Sequence, residues 1–522
     1  MLRPSHRHTA FTATILLMGS AMASRVIGLV KTKYIAYLLG RTAAADAFNA
    51  AFQLPDMIAY FLVGGAASIT FVTMLTRYRD AGREDEGERS MSVILTTMAL
   101  VLGLAILAAE FLAPLYVRAL LHGFENDPAK AALCAHLTRI LLPAQLFFLA
   151  GGVFAAVLLV RKQFAVQAIT PLIYNCGIIF GGVLLYRHLG SSSLAIGAVA
   201  GAFLGPFLLN AIWAHRAGMR YRPILDWSDR GLHEWVRMSI PLMLGVSLVT
   251  ADNWIINYFA SHTGGAISLL TYAKQLFTAP VALGQAAGAA SLPFLASLYG
   301  SGQGEGGRTP FAHAVNSSVS RILAFSILLS AFMISMALPM VDVLLRGGAF
   351  HRADSGTMAI YFGIFSISLC LWSAQAIYAR AFYAAGNTLT PMIAGTIVTV
   401  VSLPVYWSLY RSIGAAGLAI ASDVGILIQT LTLAVLLHRR RMVALGGLEY
   451  AELLRSLLAA VLGYAALVVL RRLMPASTSR LVELGLLVIA TAVWIVVSAL
   501  VLKLAGSALP GQLASRFRRK AA

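Results

Sequence analysis

The chain has 522 residues, of which 59% are hydrophobic and 12% are charged, and its mean hydropathy is +0.79. A soluble globular protein carries about 25% charged residues, so this composition excludes an ordinary soluble enzyme. The net charge of +19 indicates membrane topology and not nucleic-acid binding, because inner-membrane proteins collect Lys and Arg in their cytoplasmic loops.

Apolar runs of about 20 residues, the length that crosses a bilayer, recur along the chain. We predict an all-α polytopic membrane protein with about fourteen transmembrane helices. A charged residue, Arg25, interrupts the first run and no clear cleavage site follows it, so we predict a retained helix and not a signal peptide. The approximate bounds are 11–35, 46–76, 91–118, 133–160, 164–186, 191–214, 234–260, 265–298, 312–345, 356–384, 388–409, 414–437, 451–473 and 481–505.

The distribution of Lys and Arg predicts the orientation of these spans. Cytoplasmic loops carry an excess of both residues, and one set of helix ends is clearly the more basic. That set includes both termini, so we predict a multi-pass protein of the bacterial cytoplasmic membrane with both termini in the cytoplasm. The basic positions that decide this are Arg3, Arg7, Arg77, Arg79, Arg83, Arg89, Arg216, Arg220, Arg222, Arg230, Arg439, Arg440, Arg441, Arg516, Arg518, Arg519 and Lys520.

Three short matches at an offset of about 220 residues indicate an internal repeat. Each match alone could arise by chance, but all three fall at equivalent spans. The matched segments are Gln53-Leu54 with Gln275-Leu276, Gly65-Ala66-Ala67-Ser68 with Gly288-Ala289-Ala290-Ser291, and Thr170-Pro171 with Thr390-Pro391.

The repeat predicts the domain organisation. Six spans fit inside one period, so the two halves enter the membrane in the same sense and form a parallel repeat. We predict an amino-terminal six-helix lobe at 1–217 and a second six-helix lobe at 218–440, arranged around a central cavity. Residues 441–522 add two transmembrane helices and a basic cytoplasmic tail. This organisation is typical of an alternating-access transporter.

Charges in the first two spans provide the best candidate site. Charged side chains inside a membrane are costly and usually mark a pathway. Arg25, Lys31 and Lys33 are followed by Asp46 and, further along, Asp56. We predict that Arg25 and Lys31 bind an anionic substrate, with phosphate as its chemistry, and that Asp46 orients these cations. The alternative is a buried Arg25–Asp46 ion pair that only fixes helix packing.

The second lobe contributes further intramembrane charges. Lys274 occupies the span that matches the first site by the repeat, so we predict a second cation for the substrate; the alternative is a lysine near a helix end. Three lone acids, Asp252, Glu110 and Asp423, are candidates for ion or proton coupling, or are neutral and hydrogen-bonded. Asp252 is preferred, because it begins the polar pair Asp252-Asn253 in a long span.

Catalytic and cofactor patterns are absent from the sequence. There is no P-loop, no H-E-x-x-H and no G-x-S-x-G, so we predict a transporter and not an enzyme. The three cysteines lack the spacing of a metal site. We predict no cofactor, and we expect transport to draw on the membrane potential, a monovalent cation or the substrate's own gradient.

Several segments together resemble the lipid II flippase family (MurJ, also called MviN), and the resemblance covers essentially the whole chain. No single motif decides it, but their order and spacing are fairly specific. The segments are Ser24-Arg25-Val26-Ile27-Gly28, Ala45-Asp46-Ala47-Phe48, Phe52-Gln53-Leu54-Pro55, Pro241 with Gly245-Val246-Ser247, Tyr272-Ala273, Leu292-Pro293, and Arg380-Ala381-Phe382-Tyr383-Ala384 leading to Asn387-Thr388 and Thr390-Pro391.

The resemblance implies the multidrug/oligosaccharidyl-lipid/polysaccharide exporter fold and a substrate. That substrate is an undecaprenyl-pyrophosphate-linked glycopeptide, lipid II, which moves from the inner to the outer leaflet of the cytoplasmic membrane for peptidoglycan biosynthesis. Implied partners are membrane lipids and the cell-wall synthesis machinery. Arg25 and Asp46 match essential charges of the family, and Lys31 stands where the family usually has arginine.

Two departures from the family pattern keep other functions open. Ala59 aligns with a family arginine, and Lys274-Gln275 aligns with a family Asp-Arg pair. Because one helical residue is about 100° of rotation, Lys274 need not point where the family arginine does. The alternatives are an exporter of another polyprenyl-linked glycan or of a drug, and a transport-inactive scaffold of cell-wall assembly.

Overall fold

The computed structural model describes residues 10–63, 66–161, 163–301, 308–474, 479–509 and 511. In these ranges the chain is helical and forms no β-strand; one isolated bridge joins Gly347 and Phe350. The predicted all-α fold class is therefore confirmed. Several positions used for the predictions lie outside the described residues, namely Arg3, Arg7, Gly65, Arg516, Arg518, Arg519 and Lys520.

The described residues divide into two compact units, Met1–Gly245 with Ala260–Ser268, and Val246–Phe259 with Leu269–Ala522. The helices of the first unit are α1 (Ala10–Leu39), α2 (Ala43–Ala51), α3 (Gln53–Ile58), α4 (Ala66–Asp80), α5 (Glu84–Leu120), α6 (Pro128–Leu141), α7 (Ala144–Val160), α8 (Phe164–Leu189), α9 (Ser192–Ala202), α10 (Asn210–Arg216) and α11 (Arg230–Leu244). Two π-helices, Ala59–Val63 and Phe203–Leu209, and a 3-10 helix, His122–Asn126, complete it.

The remaining helices belong wholly or mainly to the second unit. They are α12 (Leu248–Ala260), α13 (Ala266–Ser301), α14 (Arg308–Ser335), α15 (Ala337–Leu345), α16 (Arg352–Ile367), α17 (Leu369–Ala384), α18 (Leu389–Ile413), α19 (Ala415–Arg439), α20 (Tyr450–Leu473) and α21 (Arg480–Leu504), with a 3-10 helix at Leu445–Gly447. Residues 260–268, between α12 and α13, pack with the first unit.

The packing of α11 decides where the first unit ends. Arg77 on α4 forms an ion pair with Glu234 on α11 at 2.6 Å. Before α11, the Ser228 side chain and backbone N–H donate hydrogen bonds to Asp226 and, with nearby Arg89, hold the pKa of Asp226 below its ordinary value. These contacts join α11 and the segment before it to the first unit. The predicted lobe boundaries at 217 and 440 stay a prediction.

Nine helices in the described part of the chain are long and apolar enough to cross a membrane, or ten if the bent pair α16–α17 is one span. Two of the predicted spans, 46–76 and 234–260, are divided into shorter helices. The boundary between α6 and α7 falls at Pro143, whereas Pro280 lies within the continuous helix α13. The fourteen-span count stays a prediction.

A close contact between α8 and α9 depends on glycine. A Cβ added at Gly177 or Gly181 would lie 2.6 Å from the Cα of Gly201 or Gly197, respectively. Small residues of this kind let membrane helices approach backbone to backbone, which gains van der Waals contact where no hydrophobic effect drives association.

The outer surface of α20 and α21 is apolar. Only 28% of the most apolar stretch of Tyr450–Leu473, and 17% of that of Arg480–Leu504, is buried inside the protein. Exposed side chains on these helices include Leu454, Leu473 and Leu481, which are 69 to 79% exposed. A soluble protein rarely exposes so much contiguous apolar area, and hydrocarbon contact explains it.

Candidate functional site

The first candidate cations lie on α1. Arg25 is halfway along this 30-residue helix and its side chain is exposed, and Lys31 is partly exposed. Within the part of the chain that the structure describes, neither residue has an ion-pair partner. α1 covers the first predicted span, and an uncompensated charge within a membrane span is costly, so an anion from outside the chain would stabilise this arrangement.

The structure corrects the prediction for Asp46. Its carboxylate, in the first turn of α2, is fully buried and accepts a hydrogen bond from Lys130 Nζ at 2.9 Å. It also accepts the backbone N–H groups of Gly265 at 2.7 Å and Ser268 at 2.9 Å. Asp46 therefore orients Lys130 and not the cations of α1, and the alternative Arg25–Asp46 ion pair does not form.

The contacts of Asp46 form a cap for another helix. Gly265 and Ser268 flank the first residues of α13, where backbone N–H groups have no partner within the helix. A carboxylate at that position satisfies these donors and stabilises the positive end of the helix dipole. Segment 260–268 is held to the first unit by this cap.

Lys130 is a functional candidate that the sequence analysis missed. It lies in the first turn of α6 and its side chain is 7% exposed. Its ammonium also lies 4.1 Å from the centre of the Phe124 ring, a cation–π contact. In the sequence, Lys130 stands in the polar segment just before a predicted span, where a lysine is ordinary. No local pattern indicates its distant partner.

The second candidate site joins two residues that the sequence predicted separately. Asp252 on α12 is fully buried and forms an ion pair with Lys274 on α13. Tyr406 donates its hydroxyl to the other oxygen of Asp252, and Ser422 donates to the first at 2.9 Å. Lys274, 14% exposed, also donates to Asn253 at 2.6 Å. Neither residue is isolated, because the lysine neutralises the acid.

Two other predicted acids differ in their surroundings. Asp423 follows Ser422 on α19, hydrogen-bonds Ser368, and keeps one carboxylate oxygen that is buried without a partner. Glu110 lies on α5 near Arg139, whose Nε donates 2.8 Å to the Glu110 backbone oxygen. Asp423 therefore belongs to the surroundings of Asp252, whereas Glu110 belongs to the first unit.

The structure places the two positions that depart from the family pattern in different helices. Ala59 begins the π-helix after α3, and Gln275 follows Lys274 on α13.

Among the described residues, no group of three or more His, Cys, Asp or Glu side chains has the geometry of a metal site.

The comparisons decide the family. The family model described as lipid II flippase MurJ matches residues 35–487 of this chain. The chain belongs to the lipid II flippase MurJ family. Its relatives include the probable lipid II flippase MurJ of Vibrio cholerae, 28% identical over 425 residues, with 78% of this chain and 79% of the relative covered. The lipid II flippase MurJ of Burkholderia cenocepacia is 26% identical over 445 residues, with coverages of 82% and 84%.

Solved structures agree on the fold. A structure titled lipid II flippase MurJ in an inward closed conformation matches with a TM-score of 0.78 at 20% identity, over 94% of this chain and 99% of that chain. An inward-facing multidrug resistance MATE transporter of the MOP superfamily matches with a TM-score of 0.66 at 14% identity, over 82% and 98%. The family and the apolar helices make this chain a multi-pass transporter of the bacterial inner membrane.

Proposed function

We propose that this protein moves lipid II, the undecaprenyl-pyrophosphate-linked peptidoglycan precursor, from the inner to the outer leaflet of the cytoplasmic membrane by alternating access. The observation that carries the proposal is Arg25, a cation halfway along a helix of a membrane transporter that is exposed and has no ion-pair partner among the described residues. The family model and the printed names of the relatives support the substrate.

The chemistry of the substrate explains why cations are needed. A pyrophosphate and a large polar sugar-peptide cannot cross about 30 Å of hydrocarbon unaided. Arginine binds phosphate with a planar fork of donors, and lysine binds it as a point charge. We assign Arg25 and Lys31 of the first unit to the pyrophosphate; Lys274, whose ammonium pairs with Asp252, stays the second predicted cation for the substrate.

Asp46 has a different role in this proposal. Its bonds to Lys130, Gly265 and Ser268 support a function in conformation and not in direct substrate contact. We propose that this buried network forms in one state of the transport cycle and is broken in another. Asp46 then contributes to substrate movement by stabilising one state.

Energy coupling belongs to the second unit in this proposal. Asp252 is the preferred coupling residue, and the drive is the membrane potential or a monovalent cation, with no cofactor. Both termini face the cytoplasm, and membrane lipids and the cell-wall synthesis machinery are the partners. Nucleic acid is not a partner.

One observation favours a second candidate substrate. Ala59 and Gln275 stand where the family has arginines, which reduces the positive charge available to a pyrophosphate. A different polyprenyl-linked glycan therefore remains the second candidate. A cationic drug is disfavoured in spite of the MATE-like fold, because Arg25 and Lys31 would repel it.

Complementation tests the proposal directly. The host's lipid II flippase is depleted, this chain is expressed, and lipid II at the outer face is labelled and counted. Restored exposure and growth are expected. Failure to restore either, with the protein present at normal level in the membrane, rejects lipid II as the substrate, and supply of O-antigen-type precursors then tests the second candidate.

A further inference from the structure

Asp56 is a charged residue of the first unit that the proposed function does not use. It lies on α3, inside the predicted span 46–76, and its side chain is exposed. Among the described residues it has no ion-pair partner and no side-chain hydrogen bond. A carboxylate within a membrane span is costly, and such residues face the interior of the helix bundle or a water-filled cavity. We therefore expect Asp56 to meet a cation from outside the chain.

Two tyrosines lie close enough to Asp56 to interact with its charge, Tyr116 on α5 and Tyr174 on α8. Within the described part of the chain, the Tyr116 hydroxyl is buried and has no hydrogen-bond partner, which is unusual for a polar group. An organic ammonium carries three N–H donors for such oxygens, and the faces of aromatic rings attract it. The surroundings of Asp56 therefore match an ammonium group.

The packing of α1 on α8 gives the depth of this carboxylate. Two hydrogen bonds join positions that are 148 residues apart, from the Ser20 hydroxyl to the Ala168 oxygen and from the Tyr186 hydroxyl to the Leu38 oxygen. The two helices are therefore parallel, and the same offset places Tyr174 beside Val26. Since Arg25 precedes Val26, Asp56 and Arg25 lie at about the same depth in the first unit.

The first unit thus presents opposite charges at one depth. Arg25 and Asp56 are both exposed, and the ion pairs of the described residues do not join them to each other or to Lys31. A ligand with only a phosphate would be repelled by Asp56, and a ligand with only an ammonium would be repelled by Arg25 and Lys31. A ligand that carries both groups is complementary to both charges.

We propose that Asp56 and the Tyr116 hydroxyl bind a primary ammonium of the transported glycopeptide while Arg25 binds its pyrophosphate, so that the first unit selects a zwitterionic substrate. This inference rests on the proposed function. The peptide is the part of the substrate that can carry such an amine. A metal ion matches less well, because it needs several oxygen ligands and Asp56 belongs to no group of three or more acidic, His or Cys side chains among the described residues.

Binding of two probes to the purified full-length protein tests the proposal at about pH 8, where a lysine amine is protonated. Both probes are farnesyl-pyrophosphate-linked disaccharide–pentapeptides. The peptide of one carries a lysine side-chain amine, and in the other this amine is acetylated. The wild type should bind the amine probe about tenfold more tightly, since a charged hydrogen bond is gained. Asp56→Asn should bind the two probes equally.

Three further variants separate the two ends of the ligand. Arg25→Ala should weaken both probes by the same factor and keep the preference for the amine. Tyr116→Phe keeps the ring and should reduce the preference severalfold, which keeps the test decisive if Asp56→Asn does not fold. Asp80→Asn is the matched control, because it makes the same exchange at an exposed carboxylate at the end of α4, and it should retain the wild-type preference.

Several results would overturn the inference. They are equal binding of the two probes by the wild type, a preference retained in full by Asp56→Asn or Tyr116→Phe, and a preference that disappears when sodium chloride replaces choline chloride. The last result would identify a metal site and not an ammonium site.

Failure of this inference is distinguishable from failure of the proposed function. If complementation restores lipid II exposure and the wild type binds both probes equally, the ammonium site is rejected and the flippase function stands. If the amine preference behaves as expected and complementation fails, the site is retained in a transporter of another lipid that carries both phosphate and amine.

Discussion

Lys130 donates a hydrogen bond to Asp46 across 2.9 Å inside the first unit, where the two side chains are 7% and 0% exposed. Asp46 uses the same carboxylate to cap the start of α13 through Gly265 and Ser268. Asp46 therefore bonds to both a lysine and the start of a helix. Among the described residues, Lys130 forms its ion pair with Asp46 alone. This asymmetry makes the consequences of removing the two residues unequal.

The asymmetry predicts the order of two destabilising changes. Asp46→Ala leaves Lys130 buried without its counter-charge and leaves two backbone N–H groups without an acceptor. We therefore expect the unfolding free energy to fall by about 3–5 kcal/mol. Lys130→Met also leaves a buried charge, but Asp46 keeps two N–H partners at the start of a helix, so we expect a smaller loss of about 2–3 kcal/mol. Thermal unfolding of the detergent-purified variants, followed by size-exclusion fluorescence, measures the order. Equal losses, or a larger loss for Lys130→Met, would show that the cap contributes nothing.

A second charge cluster, in the other unit, predicts a difference between two carboxylates. Asp342 is fully buried between Arg346 at 3.2 Å and Arg352 at 3.1 Å, and Arg352 also bonds Glu483 at 2.9 Å. Asp342→Asn removes the charge that two arginines share and should cost about 3 kcal/mol. Glu483→Gln keeps a hydrogen bond to an arginine that Asp342 still neutralises, and should cost about 1 kcal/mol.

The two variants are matched, because each exchanges a carboxylate for an amide of the same shape. Their melting temperatures, measured side by side, give the comparison. If Glu483→Gln lowered the melting temperature more than Asp342→Asn, the prediction would be wrong, and Glu483 would contribute more to the stability of the cluster than Asp342.

The contact between α8 and α9 predicts a steric effect. At Gly181 an added methyl group would meet the Gly197 backbone at 2.6 Å, so Gly181→Ala should force the helices apart and lower the melting temperature by several degrees. Gly103→Ala on α5 is the control, because nothing lies within 4 Å of its added Cβ, and alanine is the better helix former. Similar melting temperatures for the two variants would contradict the close packing.

The sequence predicts the fold well where the signal is local. Long apolar runs define α5, α18 and α21, because length and composition alone distinguish a membrane helix. Arg25 is recognisable for the same reason, as a charge in the middle of such a run. Breaks are harder to predict. Pro143 ends a helix and Pro280 does not, since neighbouring helices can satisfy the backbone around a proline.

The sequence does not show which distant residues form ion pairs. Asp252 and Lys274 were each predicted as site residues, but their ion pair depends on the turn at 260–268 that brings α12 back against α13. Asp46 was predicted as a site residue with the wrong partner. Lys130, 84 positions further along, carries no local pattern, and only the packing of α2 on α6 identifies it.

The most direct test of the proposed function is lipid II exposure in flippase-depleted cells that express Arg25→Ala. Arg25 is exposed and unpaired among the described residues, so its removal should not affect folding. Loss of its charged hydrogen bond to pyrophosphate should lower the rate of exposure about tenfold or more. Arg187→Ala, which removes another exposed arginine of the first unit from the last turn of α8, is the control and should retain the wild-type rate. An Arg25→Ala protein that exposes lipid II as fast as the wild type, at the same membrane level, would contradict the assignment of this cation to the substrate.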